Sequence, residues 1–167
     1  MRYLIAVDPD VDKSGVAVLN VATQRIEVLS MTFPELLDYL CNAKVLSPNL
    51  KLYVEAGWLN KKSNFHGQTG NRGQRVAKNV GANHQVGKLI IEMAKHYKID
   101  VSQVPPLRKC WKGKDGKITQ EEIEYFIPGF PKRTNQDSRD SALLAWYHAG
   151  LPIKVKTAKS MPHVIRG

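Results

Sequence analysis

Residues 3–20 read YLIAVDPDVDKSGVAVLN, and the fold turns on this stretch. Residues 2–8 (RYLIAVD) are a short apolar run rich in β-formers, which predicts a buried strand ending at Asp8. Asp-Pro opens a turn and Ser14-Gly15 closes it. Residues 16–21 (VAVLNV) and 26–33 (IEVLSMTF) predict two further strands joined by a tight polar link. Pro34 and Glu35 suit the first turn of a helix carrying Leu36, Leu37, Tyr39 and Leu40. Residues 51–55 (KLYVE) predict a second buried strand, and this one ends in Glu55.

Downstream, residues 59–73 (LNKKSNFHGQTGNRG) lack periodicity and are rich in Gly, Asn and Lys, which predicts a basic loop. A long helix is expected over roughly 74–97, with Val76, Val80, Val86, Ile90, Met93 and Tyr97 as its apolar stripe. Gly81 and Gly87 each cost such a helix about 0.5–1 kcal/mol relative to Ala, so both predict close backbone packing. A strand at 99–104, a second basic loop at 107–117 (LRKCWKGKDGK) and helices near 119–127 and 136–149 follow. Residues 1–150 are thus expected to form one domain, with 151–167 a basic tail. Hairpin-like strands followed by alternating strands and helices predict a mixed sheet covered by helices.

Charge is sorted along the chain. The net charge is +10, yet residues 1–56 carry 5 Lys/Arg against 7 Asp/Glu. Residues 57–117 carry 13 against 3, and residues 118–167 carry 7 against 5. A nucleic-acid backbone is the natural partner of so basic a middle third. Candidate contacts there are Lys61, Lys62, Arg72, Arg75, Arg108, Lys109, Lys112 and Lys114. An acidic membrane surface lacks the supporting amphipathic basic helix, and no apolar run approaches the ~20 residues of a membrane span. The opening MRYLIAVDPD turns acidic too soon for a signal peptide. Cys41 and Cys110 form neither a disulfide framework nor a CxxC pair, so a reducing, cytoplasmic setting is expected.

The acids gather at element ends. Asp8 and Glu55 close two strands, and Asp137 and Asp140 share one face of the last helix at i, i+3 spacing. A strand-terminal Asp alone is an ordinary turn residue, and Asp137 alone is an ordinary first-turn acid. Together the four would repel strongly unless oxygen-preferring divalent cations sat among them. Two such ions suit phosphodiester hydrolysis. Asp8, Asp10 and Asp12 match the first positions of an EF-hand loop, but Lys13 and Leu19 stand where Gly and Glu are needed. Asp10 and Asp12 therefore read as turn residues. The five histidines show no zinc spacing with the cysteines, His148 reads as structural, and no phosphate-binding glycine motif occurs.

These residues resemble the RuvC-type Holliday-junction resolvases, a branch of the RNase H-like nucleases. The likeness runs from residue 3 to about 150 through IAVDPDVDKSGVAVL, LYVEAGW and NQDSRDSALLAWYHAG, with the glycine-containing helix between them. It implies an RNase H-like α/β fold, a mixed five-stranded sheet with helices on both faces. It also implies a nuclease using two Mg²⁺ or Mn²⁺ ions held by Asp8, Glu55, Asp137 and Asp140. The family places an aromatic three residues after its second acid, where Trp58 stands here, and Phe65 follows in the same loop. Trp58 is either a base-stacking ring or a lid on the core. The chain departs from the family at Asp10, where glycine is frequent. Its catalytic lysines also lack unique counterparts: Lys109 or Lys112 matches the first, and Gln120, with Lys117 upstream, lies near the second. Lys117 is the candidate for steadying transition-state charge.

The expected function is cleavage of branched DNA by a homodimer, whose contact would be the helix around 74–97 through Ala82, Leu89 and Met93. A flap or general structure-selective endonuclease is the alternative enzyme. A non-catalytic nucleic-acid-binding module is the alternative outside enzymes, and it has no need of four repelling acids.

Overall fold

Alternation along β1 (Tyr3–Asp8) sends Leu4 and Ala6 to one face of the sheet and Ile5 and Val7 to the other, and all four are fully buried. Burial on both sides explains why this strand reads as a continuous apolar run. The computed structural model describes residues 2–60 and 70–156, the side chains of 70–72 excepted. Beside β1 lie β2 (Ser14–Asn20) and β3 (Arg25–Met31), both antiparallel to their neighbours. On its other side β4 (Lys51–Glu55) and β5 (Asp100–Val104) run parallel to it, giving the order β3-β2-β1-β4-β5. The expected mixed five-stranded sheet is therefore present.

Helices cover both faces. α1 (Phe33–Leu46) and α2 (Gly70–His96) bury Leu36, Leu40, Ile90, Ile91 and Ala94 against Ile5, Val7, Val16, Leu52 and Val54. α3 (Gln120–Phe126) and α4 (Gln136–His148) bury Ile123, Phe126, Leu143 and Trp146 against Leu4, Ala6, Ala17 and Leu19. α1 starts at a capping box in which Thr32 and Glu35 satisfy each other's backbone N–H, and this stops β3 at Met31, short of the expected residue 33. No helix among the described residues is long and apolar enough to cross a membrane.

Two expectations about α2 need correction. It begins at Gly70, inside the stretch expected to be loop. Along its described first turns the expected Val76 and Val80 are half-buried between exposed neighbours, and full burial begins at Gly87. Only one of its two glycines marks a close approach. A Cβ on Gly87 would lie 2.7 Å from Trp58 and 3.1 Å from Pro9, whereas at Gly81 it would meet nothing within 4 Å. Residues 151–156 form neither helix nor strand, although Leu151 and Ile153 pack on the core and Trp146 Nε1–H donates to the Pro152 carbonyl at 2.8 Å.

Candidate active site

Parallel pairing of β1 with β4 sets Val7 beside Val54, so the next residues along, Asp8 and Glu55, emerge as neighbours at the C-terminal ends of two interior strands. α4 brings its first turn to the same end of the sheet. Asn135 caps that helix by accepting the Ser138 N–H at 2.8 Å, which fixes where Asp137 and Asp140 begin their shared face. Gly15, paired with Asp8 across the hairpin, makes the approach possible: a Cβ there would lie 2.3 Å from the Asp137 carbonyl oxygen. Carboxylate oxygens of Asp8, Asp137 and Asp140 all lie within 4.8 Å of one another, and Asp8 is hydrogen-bonded to Glu55. The four acids singled out in the sequence thus meet.

Their electrostatics follow from crowding in a poorly solvated place. Burial, then the Glu55 charge, holds Asp8 well above the usual carboxylate range. Burial also raises Glu55, against the opposing pull of its hydrogen bond from Asp8 and of Lys109 and Lys117. Asp137 is raised by burial and by the charges of Asp10 and Asp140. Asp140 is raised by burial, while the Gln136 amide (2.8 Å) and Lys117 stabilise its charge. Lys117 Nζ stands 4.0 Å from Asp140. All four donors are hard oxygens crowded together with too little compensating positive charge, a set that fits Mg²⁺ or Mn²⁺.

A cleft of ≈ 210 Å³ opens beside the acids, and Trp58, His84, Asn83, Pro106, Lys109 and Lys117 are among the residues that wall it. Trp58 is half-buried, with His84 edge-on at 5.8 Å and Lys88 Nζ 5.6 Å above its ring. Arg75, Arg108, Lys109, Lys112 and Lys114 are exposed. Lys61, Lys62 and Phe65 lie outside the described residues, as does the Arg72 side chain. Asp10 forms the turn expected of it, its Oδ1 accepting the Asp12 N–H at 2.8 Å. His148 stacks on Tyr53 at 4.5 Å.

Sequence reasoning missed what shapes the lysine loop. The Trp111 ring packs on Phe126 at 6.0 Å. The Trp111 backbone N–H donates to the Gly116 carbonyl at 2.9 Å, and the Gly113 N–H donates to the Lys117 carbonyl at 2.9 Å. Gly116 sits at φ 77°, and Glu122 accepts the Lys112 N–H at 3.1 Å. The two glycines in GKDGK were the available signal for a tight bend.

Among solved structures the chain is similar to T. thermophilus RuvC in complex with Holliday junction substrate. The TM-score is 0.53, with 13% identity over 89% of this chain and 93% of that one. The chain has an RNase H-like fold. Within that fold the carboxylates lie where β1, β4 and α4 converge. YeaZ from Pseudomonas aeruginosa also aligns, at 18% identity over 77% of this chain and 50% of that one, with a TM-score of 0.33. No protein-family model and no curated protein matches the sequence.

Proposed function

We propose that this chain is a Mg²⁺- or Mn²⁺-dependent endonuclease that hydrolyses DNA phosphodiesters at branched structures, four-way junctions foremost. One observation carries the reading: the oxygens of Asp8, Asp137 and Asp140 crowd within 4.8 Å beside Glu55, at the mouth of a basic-rimmed cleft. Asp8, Glu55, Asp137 and Asp140 would hold two ions, which supply Lewis acidity to the phosphate and to an attacking water. Gln136 orients Asp140 through its amide. Lys117, beside Asp140, is placed to steady negative charge gathering on the phosphate in the transition state. Trp58 walls the cleft, and the exposed Arg75, Arg108, Lys109, Lys112 and Lys114, with Lys61, Lys62, Phe65 and Arg72, provide the DNA-binding surface. The likeness in fold to a RuvC solved with a Holliday junction supports junction DNA as the substrate.

Two symmetric nicks need two clusters, so the active form is proposed to be a homodimer joined through α2. Leu89, 38% exposed on that helix, and the open face at Gly81 support this contact. The reading is tested by incubating the protein with a four-way junction, a flap, a duplex and an RNA–DNA hybrid, with Mg²⁺ and with EDTA. Paired Mg²⁺-dependent nicks confined to the junction are expected. Cleavage of the flap alone would assign the chain to the flap nucleases, and binding without cleavage on any substrate would leave a nucleic-acid-binding module.

A further inference from the structure

The loops that follow β1 and β4 carry the chain away from Asp8 and Glu55, and the same turns of α2 close on both. Asn83 Oδ1 accepts the Val11 N–H at 2.8 Å. Among the described residues this is the one hydrogen bond that reaches residues 9–13 from outside the β1–β2 hairpin. The other side-chain bonds there are internal, from Asp10 N–H to Ser14 Oγ (3.1 Å), from Ser14 Oγ to the Asp10 carbonyl (3.5 Å) and from Asp12 N–H to Asp10 Oδ1 (2.8 Å). One turn further along α2, Gly87 faces Pro9 and Trp58, and His84 lies against Gly57.

We infer that Asn83 is a positioning residue for the carboxylate cluster, acting through Val11 on the loop that leaves Asp8. The inference rests on the proposed role of that cluster in holding divalent ions. Val11, Asp12 and Lys13 are exposed, so without Asn83 the Val11 N–H simply bonds to water and the fold loses little. The cluster is more demanding. Ligands must be held to within about 0.5 Å, and that precision comes from the hydrogen bonds of the surrounding shell. Loss of the bond therefore acts on ion affinity while leaving stability nearly untouched.

The test is calorimetric titration of the full chain with Mn²⁺ alone, without DNA, for wild type, Asn83→Ala and Asn83→Asp, alongside metal-free thermal melts. Asn83→Ala is expected to weaken Mn²⁺ binding roughly three- to tenfold, the worth of one hydrogen bond, with an unchanged melting temperature. Asn83→Asp, which keeps an acceptor for the Val11 N–H, is expected to restore the affinity. Wild-type affinity in Asn83→Ala, or a loss that Asn83→Asp leaves unrepaired, overturns the inference while the metal site stands. A fall in melting temperature that accounts for the weaker binding also overturns it, making Asn83 merely structural. Wild-type protein that takes up no Mn²⁺ sinks the reading of the cluster itself, and this inference with it.

Discussion

Asp8 bears the heaviest electrostatic load of any residue in the cluster, with burial and Glu55, Asp137 and Asp140 all acting against its charge. Its folded-state pKa lies above the unfolded value, so between the two the native protein binds more protons than the unfolded chain. Stability of the metal-free protein therefore falls as pH rises through that window, starting from the ordinary carboxylate range. Asp8→Asn removes the load: it is expected to abolish cleavage, spare DNA binding and raise the metal-free melting temperature at neutral pH. Nicking assays, gel shifts and scanning calorimetry check the three parts, and full Mg²⁺-dependent cleavage by Asp8→Asn would sink the site. Gly15 is the counterpart in backbone. Gly15→Ala forces a methyl group into the Asp137 backbone and is expected to cost about 1–3 kcal/mol, measured by denaturant unfolding, together with weaker Mn²⁺ binding. A variant as stable as wild type would show that α4 can retreat freely. The acids were legible because a strand-end Asp, a strand-end Glu and an i, i+3 pair are local patterns. Gly15 could be read only as a turn residue, since the helix it admits arrives over 120 residues later.

At the scale of elements, the loop from Leu107 to Lys117 combines two proposed roles, DNA binding and catalysis, that mutations can separate. Lys112 and Lys114 are exposed on it, whereas Lys117 turns in toward Asp140. Neutralising Lys61, Lys62, Lys112 and Lys114 together is expected to weaken binding to any DNA. Each lost phosphate contact should flatten the slope of log K against log salt by about 0.9. Fluorescence anisotropy across a salt series measures this, and an unchanged slope would mean that these lysines only solvate the surface. Lys117→Ala is expected to do the reverse, lowering the single-turnover rate far more than the affinity. Composition revealed that this loop was basic. Its bend was hidden, because it depends on Trp111 finding Phe126 and on Glu122 reaching back to Lys112, contacts between elements that no periodicity records. The start of α2 was hidden because residues 70–73 (GNRG) hold no apolar position to mark a first turn.

For the molecule as a whole, the oligomeric state separates the two nuclease readings. Sedimentation at micromolar concentration, with and without a four-way junction, is expected to show a dimer, and Leu89→Glu on α2 is expected to shift it toward monomer. A monomer that still cuts efficiently would favour the flap reading. The sheet order was largely legible from a meander followed by alternating strands and helices. Nothing local in the sequence announced that both layers of helices would leave one end of the sheet open for the acids. The way that end is completed has a consequence during synthesis. β1, β2 and β3 are neighbours in sequence and can pair as soon as they leave the ribosome, whereas α4 docks on all three from residues 136–148. A growing chain that has already made Asp8 and Glu55 still lacks Asp137 and Asp140. The cutting capacity proposed above would thus be withheld from any growing chain until residues 136–148 had been made and had docked on the hairpin.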